Sequence, residues 1–190
     1  MKQILCALVM IALTGCATPL TSNTTISDDL LNSVKANGRE PVSVILSSDL
    51  PDTHEVDAGG MNRISNVTAT FQGMIQNYAS AKFNKSDGAT SSVAIRLNSF
   101  EMSTQRDESF HGIMMASSAN GAEMTAKARL NATITVKRSG KADEEKKFTA
   151  SVDSPYNNAT TRTDIYSEAM NKACNKALIF INGYVESLGL

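Results

Sequence analysis

Apolar and polar positions alternate most regularly from Ala126 to Val136. Ala126, Ala128, Leu130, Ala132, Ile134 and Val136 share one parity, and Lys127, Arg129, Asn131, Thr133 and Thr135 the other. Period-two alternation over such a length predicts a strand with one buried and one wet face. Ser139 to Asp143, with Gly140, supplies a hairpin connection to a further strand carrying Phe148, Ala150 and Val152 inward. Nearer the start, Pro41 opens the alternation Val42, Val44, Leu46, which Asp49-Leu50-Pro51-Asp52 closes as a turn. Val93, Ile95 and Leu97 form another strand, but the apolar parity then moves to Phe100 and Met102. A bulge near Asn98 or Ser99 accounts for the change of face.

Two segments show helical spacing instead. From about Asn62 to Phe83 the apolar positions are Ile64, Val67, Phe71, Met74, Ile75 and Tyr78. From about Thr163 to Leu188 they are Ile165, Ala169, Ala173, Ala177, Phe180, Ile181, Tyr184 and Leu188, with alanines small enough to let a helix sit close to a sheet. Thr53 to Gly60 and Asn84 to Ala89 are polar and read as loops. The order is therefore β-α-β-β-β-α. Each helix has one apolar stripe and the strands one apolar face, so every stripe is buried in a two-layer α+β sandwich. Two helices pack on one face of a four-stranded, largely antiparallel sheet. The opposite face keeps its Lys, Arg, Thr and Asn in water.

Composition narrows the function. In 190 residues, 18 basic and 19 acidic side chains leave a net charge of −1, so no basic field holds a phosphate backbone and nucleic acid is not an expected partner. Trp is absent and aromatics make up 5%, which disfavours a groove that stacks sugars or bases. Three cysteines cannot form a disulfide framework.

The chain begins M-K-Q-I-L-C-A-L-V-M-I-A-L-T-G-C, one positive charge followed by the apolar run Ile4 to Leu13. That run is too short for a permanent span of roughly 20 residues and has the form of a secretory signal. Its ending, Leu13-Thr14-Gly15-Cys16, resembles the lipobox of bacterial lipoproteins, which implies cleavage between Gly15 and Cys16, a diacylglycerol thioether on the Cys16 sulfur and acylation of the new amino end. Three acyl chains exceed the two membrane signals that stable anchoring requires. Ala17, rather than Asp, follows Cys16, and in the sorting rule of such lipoproteins this implies the periplasmic side of the outer membrane. The expected organisation is a signal at 1–15, a lipidated tether at 16–40 and one periplasmic domain at 41–190. The tether is rich in Thr, Ser, Asn and Asp and would span about 25 to 30 Å as a flexible coil. Within it, Ile26, Leu30, Leu31 and Val34 share one helical face after a cap at Ser27, so a short helix is expected to interrupt it.

From Val42 to the last helix the chain resembles the YajG-type lipoproteins of Gram-negative bacteria. The resemblance is carried by A-K-A-R-L-N-A-T-I-T-V (Ala126 to Val136), the glycine hairpin, K-K-F-T-A-S-V (Lys146 to Val152), a polar connection and the amphipathic helix. More widely, auxiliary lipoproteins of envelope transport systems are similar in pairing two helices with a four-stranded sheet. The resemblance implies no catalytic residues. The chain departs from the pattern in the longer segment Asp107 to Gly121.

The candidate sites are few. His54 and His111 are the only histidines, and neither has a second ligand at zinc-site spacing. His111-Gly112 suits an oxyanion loop, but no G-x-S-x-G elbow supplies a nucleophile. No metal, cofactor or enzymatic activity is expected. Phe110, His111, Ile113, Met114 and Met115 form a soft apolar loop of the kind used at adaptable contact surfaces, and the same residues suit a cover over a sheet edge. Lys127, Arg129 and Lys137 form a basic sheet face for an anionic envelope polymer, or a solvated face. With Cys6 removed and Cys16 lipidated, Cys174 is left without a partner and reads as a small buried hydrophobe or a reactive thiol. The expected function is a lipid-anchored, non-enzymatic accessory or structural partner of another envelope protein. The alternative is a lipoprotein that holds an apolar or lipid-like ligand between helices and sheet.

Overall fold

The computed structural model describes residues 26, 30, 34, 37–51, 56–57, 63–64, 67–106, 124–156 and 162–190. Seven strands and two long helices lie among them: β1 (Asn37–Ser48), β2 (Val56–Asp57), β3 (Arg63–Ile64), α1 (Val67–Lys82), β4 (Phe83–Lys85), β5 (Ser91–Arg106), β6 (Met124–Lys137), β7 (Glu144–Tyr156) and α2 (Arg162–Ser187). The main sheet has the order β4-β1-β5-β6-β7, and β2 pairs with β3 in a small antiparallel ribbon. Both long helices cover one face of the main sheet, α1 over the β1 side and α2 over β6 and β7. The expected two-layer α+β class stands.

The sheet differs from expectation in two respects. It has five strands rather than four, because β4 follows α1 without a break and pairs with β1. Phe83 continues the helical spacing from Ala79, and Asn84 and Lys85 show no alternation, so periodicity assigns the strand to the helix end and the loop after it. It is also mixed rather than largely antiparallel. β1 runs parallel to both β4 and β5, because α1 carries the chain back to the starting end of β1 before β5 begins. The ribbon β2–β3 likewise occupies the expected loop and the first turn of the expected helix, and α1 starts at Val67, leaving Ile64 in a strand. Two-residue strands are too short to show a period.

The antiparallel half follows the expected pattern closely. The register passes from Leu97↔Ala132 to Ser99↔Asn131, which leaves Asn98 as the extra residue of a bulge. Without that insertion Phe100 and Met102 would point to solvent; with it they are buried beside Leu97 and Leu130. Gly140 turns the β6–β7 hairpin at φ 72°, a left-handed conformation open to glycine at little cost, and Lys141 N donates to the Arg138 carbonyl at 3.1 Å. Gly189 ends α2 in the same way. Leu190 N donates to the Val185 carbonyl at 3.2 Å, Gly189 N donates to that of Glu186 at 2.9 Å, and Leu190 folds into the core.

The core lies between the layers. Phe71, Met74, Ile75 and Tyr78 of α1 and Ile165, Met170, Cys174, Leu178 and Ile181 of α2 meet Val93, Ile95, Leu97, Leu130 and Ile134 of the sheet. The alanines on both sides, Ala128 and Ala132 of β6 against Ala169, Ala173 and Ala177 of α2, bring the helix close. One expected member departs: Phe180 is 42% exposed, because α2 overhangs the sheet edge there and the ring stacks on Phe148 at 4.8 Å. In the stretch expected as a tether, Ile26 and Leu30 are buried in this core, Val34 packs against it, and Val34 N donates to the Leu30 carbonyl at 3.1 Å, a helical bond.

Candidate functional site

Gly15, Cys16, His54, Phe110, His111, Ile113, Met114 and Met115 lie outside the described residues. The basic outer face lies within them. Along β6, Arg129 stands opposite Glu101 of β5, and Lys127 opposite Asp153 of β7. Lys137 pairs with Asp143 at 2.9 Å in the hairpin. Eight residues separate Arg129 from Lys137 on the strand, about 26 Å at the usual rise. The three cations are thus not gathered into one patch, and each faces an acidic residue.

The bulge builds a different site on this face. Asn98, turned outward, donates to Asp49 at 2.9 Å and accepts from Thr133 at 2.7 Å. One row along, Asn131 donates to Ser99 at 2.8 Å and accepts from Thr149 at 2.6 Å. The first rung joins Asp49, just past β1, to β5 and β6, the second joins β5, β6 and β7, and together they fix both amides. Around them lies an open depression of about 540 Å³ lined by Arg96, Asn98, Asn131, Ala132, Lys147, Phe148 and Thr149. Arg96 reaches Asp49 only at 3.9 Å, with both side chains about half exposed, so that pair contributes little. Arg96 and Lys147 flank Thr133 on one cross-strand row. The set offers fixed amides, a hydroxyl and two cations, so its chemistry is that of holding a polar or anionic group. Sequence reading missed it because its members lie on different strands and meet only through the sheet register, the bulge setting Ser99 outward beside Asn98.

Among the described residues no three of His, Cys, Asp and Glu converge as a metal site. Cys174 is wholly buried in α2, and burial pushes its thiol from 9.0 up to about 12. That environment holds the thiol protonated and out of reach. Between the helices, Tyr78 donates to Asn182 Oδ1 at 3.0 Å, and one turn on Lys82 Nζ meets Glu186 Oε1 at 3.1 Å. Burial, with Glu186 nearby, raises the Tyr78 phenol well above its ordinary value. These bonds join α1 to α2 and leave the outer face to other residues.

No protein-family model matches the chain, and no curated protein sequence does. Among solved structures it is similar to a protein of the DUF330 family from Xanthomonas campestris, with a TM-score of 0.51 at 13% identity over 90% of this chain and 98% of that one. It is also similar to rare lipoprotein B from Shewanella oneidensis, with a TM-score of 0.45 at 15% identity over 78% and 99% of the two chains. A minor lipoprotein from Acinetobacter baumannii matches with a TM-score of 0.43 at 15% identity over 76% and 94%. The first of these shows a shared fold over nearly the whole of both chains.

Proposed function

We propose that this chain is a lipoprotein of the bacterial envelope, anchored through Cys16 in the outer membrane, whose periplasmic domain is a non-enzymatic accessory or structural partner of another envelope protein, in the manner of the YajG-type family it resembles. The observation that carries this reading is Leu13-Thr14-Gly15-Cys16 at the end of an apolar run too short to span. The fold is compatible with it: no helix among the described residues is long and apolar enough to cross a membrane. The buried Ile26 and Leu30 revise the geometry of the tether. Ten residues separate Cys16 from Ile26 and as a flexible coil would span about 17 Å, in place of the 25 to 30 Å expected of the longer tether, so the domain sits closer to the headgroups.

Two substitutions test the reading in cells. Cys16→Ser should abolish palmitate labelling and release the domain from membranes. Ala17→Asp should keep the label and move the protein from the outer-membrane to the inner-membrane fraction of a density gradient. A label that persists in Cys16→Ser, or a distribution indifferent to Ala17→Asp, would refute the anchor or the address respectively. Crosslinking in whole cells should recover a stoichiometric envelope protein with the wild type and lose it with Cys16→Ser.

A further inference from the structure

The main sheet ends in two unlike edges. One is β4, three residues long, and the other is β7, thirteen residues, whose outer side no strand pairs among the described residues. Lys176 donates to the Ser151 carbonyl at 2.9 Å from α2, so that carbonyl faces away from β6. Peptide groups of an antiparallel strand alternate between its two sides, and the odd-numbered residues Glu145, Lys147 and Thr149 therefore direct N–H and C=O to the open side. Their side chains lie on the outer face, in register with Thr135, Thr133 and Asn131.

Helix α2 runs beside this edge, its turns matched to the strand. Lys172 reaches Ser154 at 3.3 Å, Lys176 reaches Ser151, and Phe180 stacks on Phe148. The two lysines therefore close the edge around Ser151 to Ser154. Beside Glu145 to Thr149 the helix presents Ile179, 59% exposed, and Phe180, which are two of the three exposed large hydrophobics among the described residues. One turn further, Gly183 has open space where a side chain would be. An edge with free peptide groups and an apolar wall is a template for another strand.

We propose that β7 pairs antiparallel with β7 of a second copy of this chain about a two-fold axis at Lys146, with Glu145 of each copy opposite Lys147 of the other. The charge order Glu144-Glu145-Lys146-Lys147 selects this register. Continuing the sheet keeps odd residues opposite odd ones. On the outer face an axis at Glu145 sets that carboxylate against its own copy, an axis at Lys147 does the same to the ammonium, and an axis at Phe148 leaves Lys147 opposite Thr149, whereas the like pair made by an axis at Lys146 falls on the helix side. An axis at Ala150 would set Lys147 opposite Asp153, but Lys176 already holds the Ser151 carbonyl there. Within the open stretch of β7 only the axis at Lys146 sets opposite charges of the strand against each other on the outer face, and each such pair favours the pairing as cross-strand ion pairs do. Lys147 makes no hydrogen bond or ion pair in a single copy among the described residues, so it is available for one. On the helix side, Ile179 and Phe180 of both copies line the seam and lose water there. The two Lys146 side chains oppose each other at the axis, and their length lets the ammonium groups diverge into solvent.

The register is read by crosslinking and by charge exchange in the full lipidated chain. Lys146→Cys brings two thiols together at the axis, within the Cα separation a disulfide spans. Mild oxidation of membranes should give a homodimer on a non-reducing gel, whereas Lys127→Cys, on the middle of the sheet, should not. In detergent-solubilised protein, Glu145→Lys and Lys147→Glu should each weaken the dimer roughly tenfold or more, as attraction becomes repulsion at two symmetric positions. The double exchange Glu145→Lys/Lys147→Glu should return it to about the wild-type dissociation constant, and circular dichroism of each variant verifies its fold. A protein that is monomeric at every concentration, a dimer indifferent to both single exchanges, a double exchange that fails to restore it, or a Lys146→Cys variant whose new thiol captures a different protein in place of the homodimer would each overturn the proposal.

Discussion

The pair Lys82–Glu186 predicts an asymmetry between its two halves. Lys82 ends α1 with its side chain 3% exposed, while Glu186, 3.1 Å away on α2, is 43% exposed. At an effective dielectric of about 20, two unit charges at that separation attract by about 5 kcal/mol. Desolvating an ammonium costs several kcal/mol, so the pair as a whole adds little. Removing one partner is another matter. Glu186→Gln keeps size and an acceptor oxygen but leaves a buried cation without its countercharge. Its cost falls between the near-zero worth of an exposed pair and the 3–5 kcal/mol of a fully buried one, about 1–3 kcal/mol given the half-exposed carboxylate. Lys82→Met removes the buried charge, fills nearly the same volume and returns Glu186 to water, so stability should change by less than about 1 kcal/mol in either direction.

Urea unfolding of residues 17–190 followed by far-ultraviolet circular dichroism measures both. With a slope of about 2 kcal/mol per molar, Glu186→Gln should lower the midpoint by about 0.5–1.5 M, and Lys82→Met by less than about 0.5 M. The double variant should resemble Lys82→Met alone, because the amide introduced on α2 then has no stranded cation to face. If Lys82→Met proves the more damaging single change, the net contribution of the ammonium exceeds its desolvation cost, and the reasoning fails.

Two further predictions concern the core. The Cys174 thiol, raised from 9.0 to about 12 by burial, favours the neutral form in the folded state, so its stabilisation is complete below about pH 9 and is lost as pH rises towards 12. Wild type should accordingly lose up to about 1.4 kcal/mol per pH unit across that window relative to Cys174→Ala, measured by urea midpoints at each pH, and parallel pH profiles would contradict the buried thiol. Leu130, fully buried at the centre of β6, should cost about 2–5 kcal/mol when changed to Ala, and a loss under about 1 kcal/mol would show that α2 does not pack there as described.

The legible parts of this fold are those where one physical rule acts over many residues. β6 alternates along its whole buried face, which defines both its existence and its inward set, and the parity change at Asn98 reveals the bulge because a single insertion moves every later side chain to the other face. α2 is legible for the same reason, with Phe180 as the exception, since a helical period defines a stripe but not where the supporting sheet ends beneath it. What stays hidden is short or relational. β4 spans three residues and takes its identity from pairing with β1, not from a pattern of its own. Strand direction likewise comes from the α1 crossover, which alternation within β1 does not encode.

The candidate site divides along the same line. Cys16, on which the proposed anchor rests, is visible as a contiguous motif, because the lipid attachment proposed for it would be read from a linear segment. The polar depression joins Arg96 and Asn98 of β5 to Asn131 of β6 and Lys147 and Thr149 of β7, and its members acquire meaning only through register. Register also reverses the reading of the basic face. Lys127 and Arg129 look like free charge in the sequence but stand opposite Asp153 and Glu101, whereas Lys147, which reads as part of a solvated hairpin, stands opposite Thr133 with no acidic residue across the strand. A charge therefore gains or loses functional weight on this sheet by what lies across the strand from it, and the open edge of β7 is where that rule leaves a cation and a carboxylate, Lys147 and Glu145, with positions still to fill.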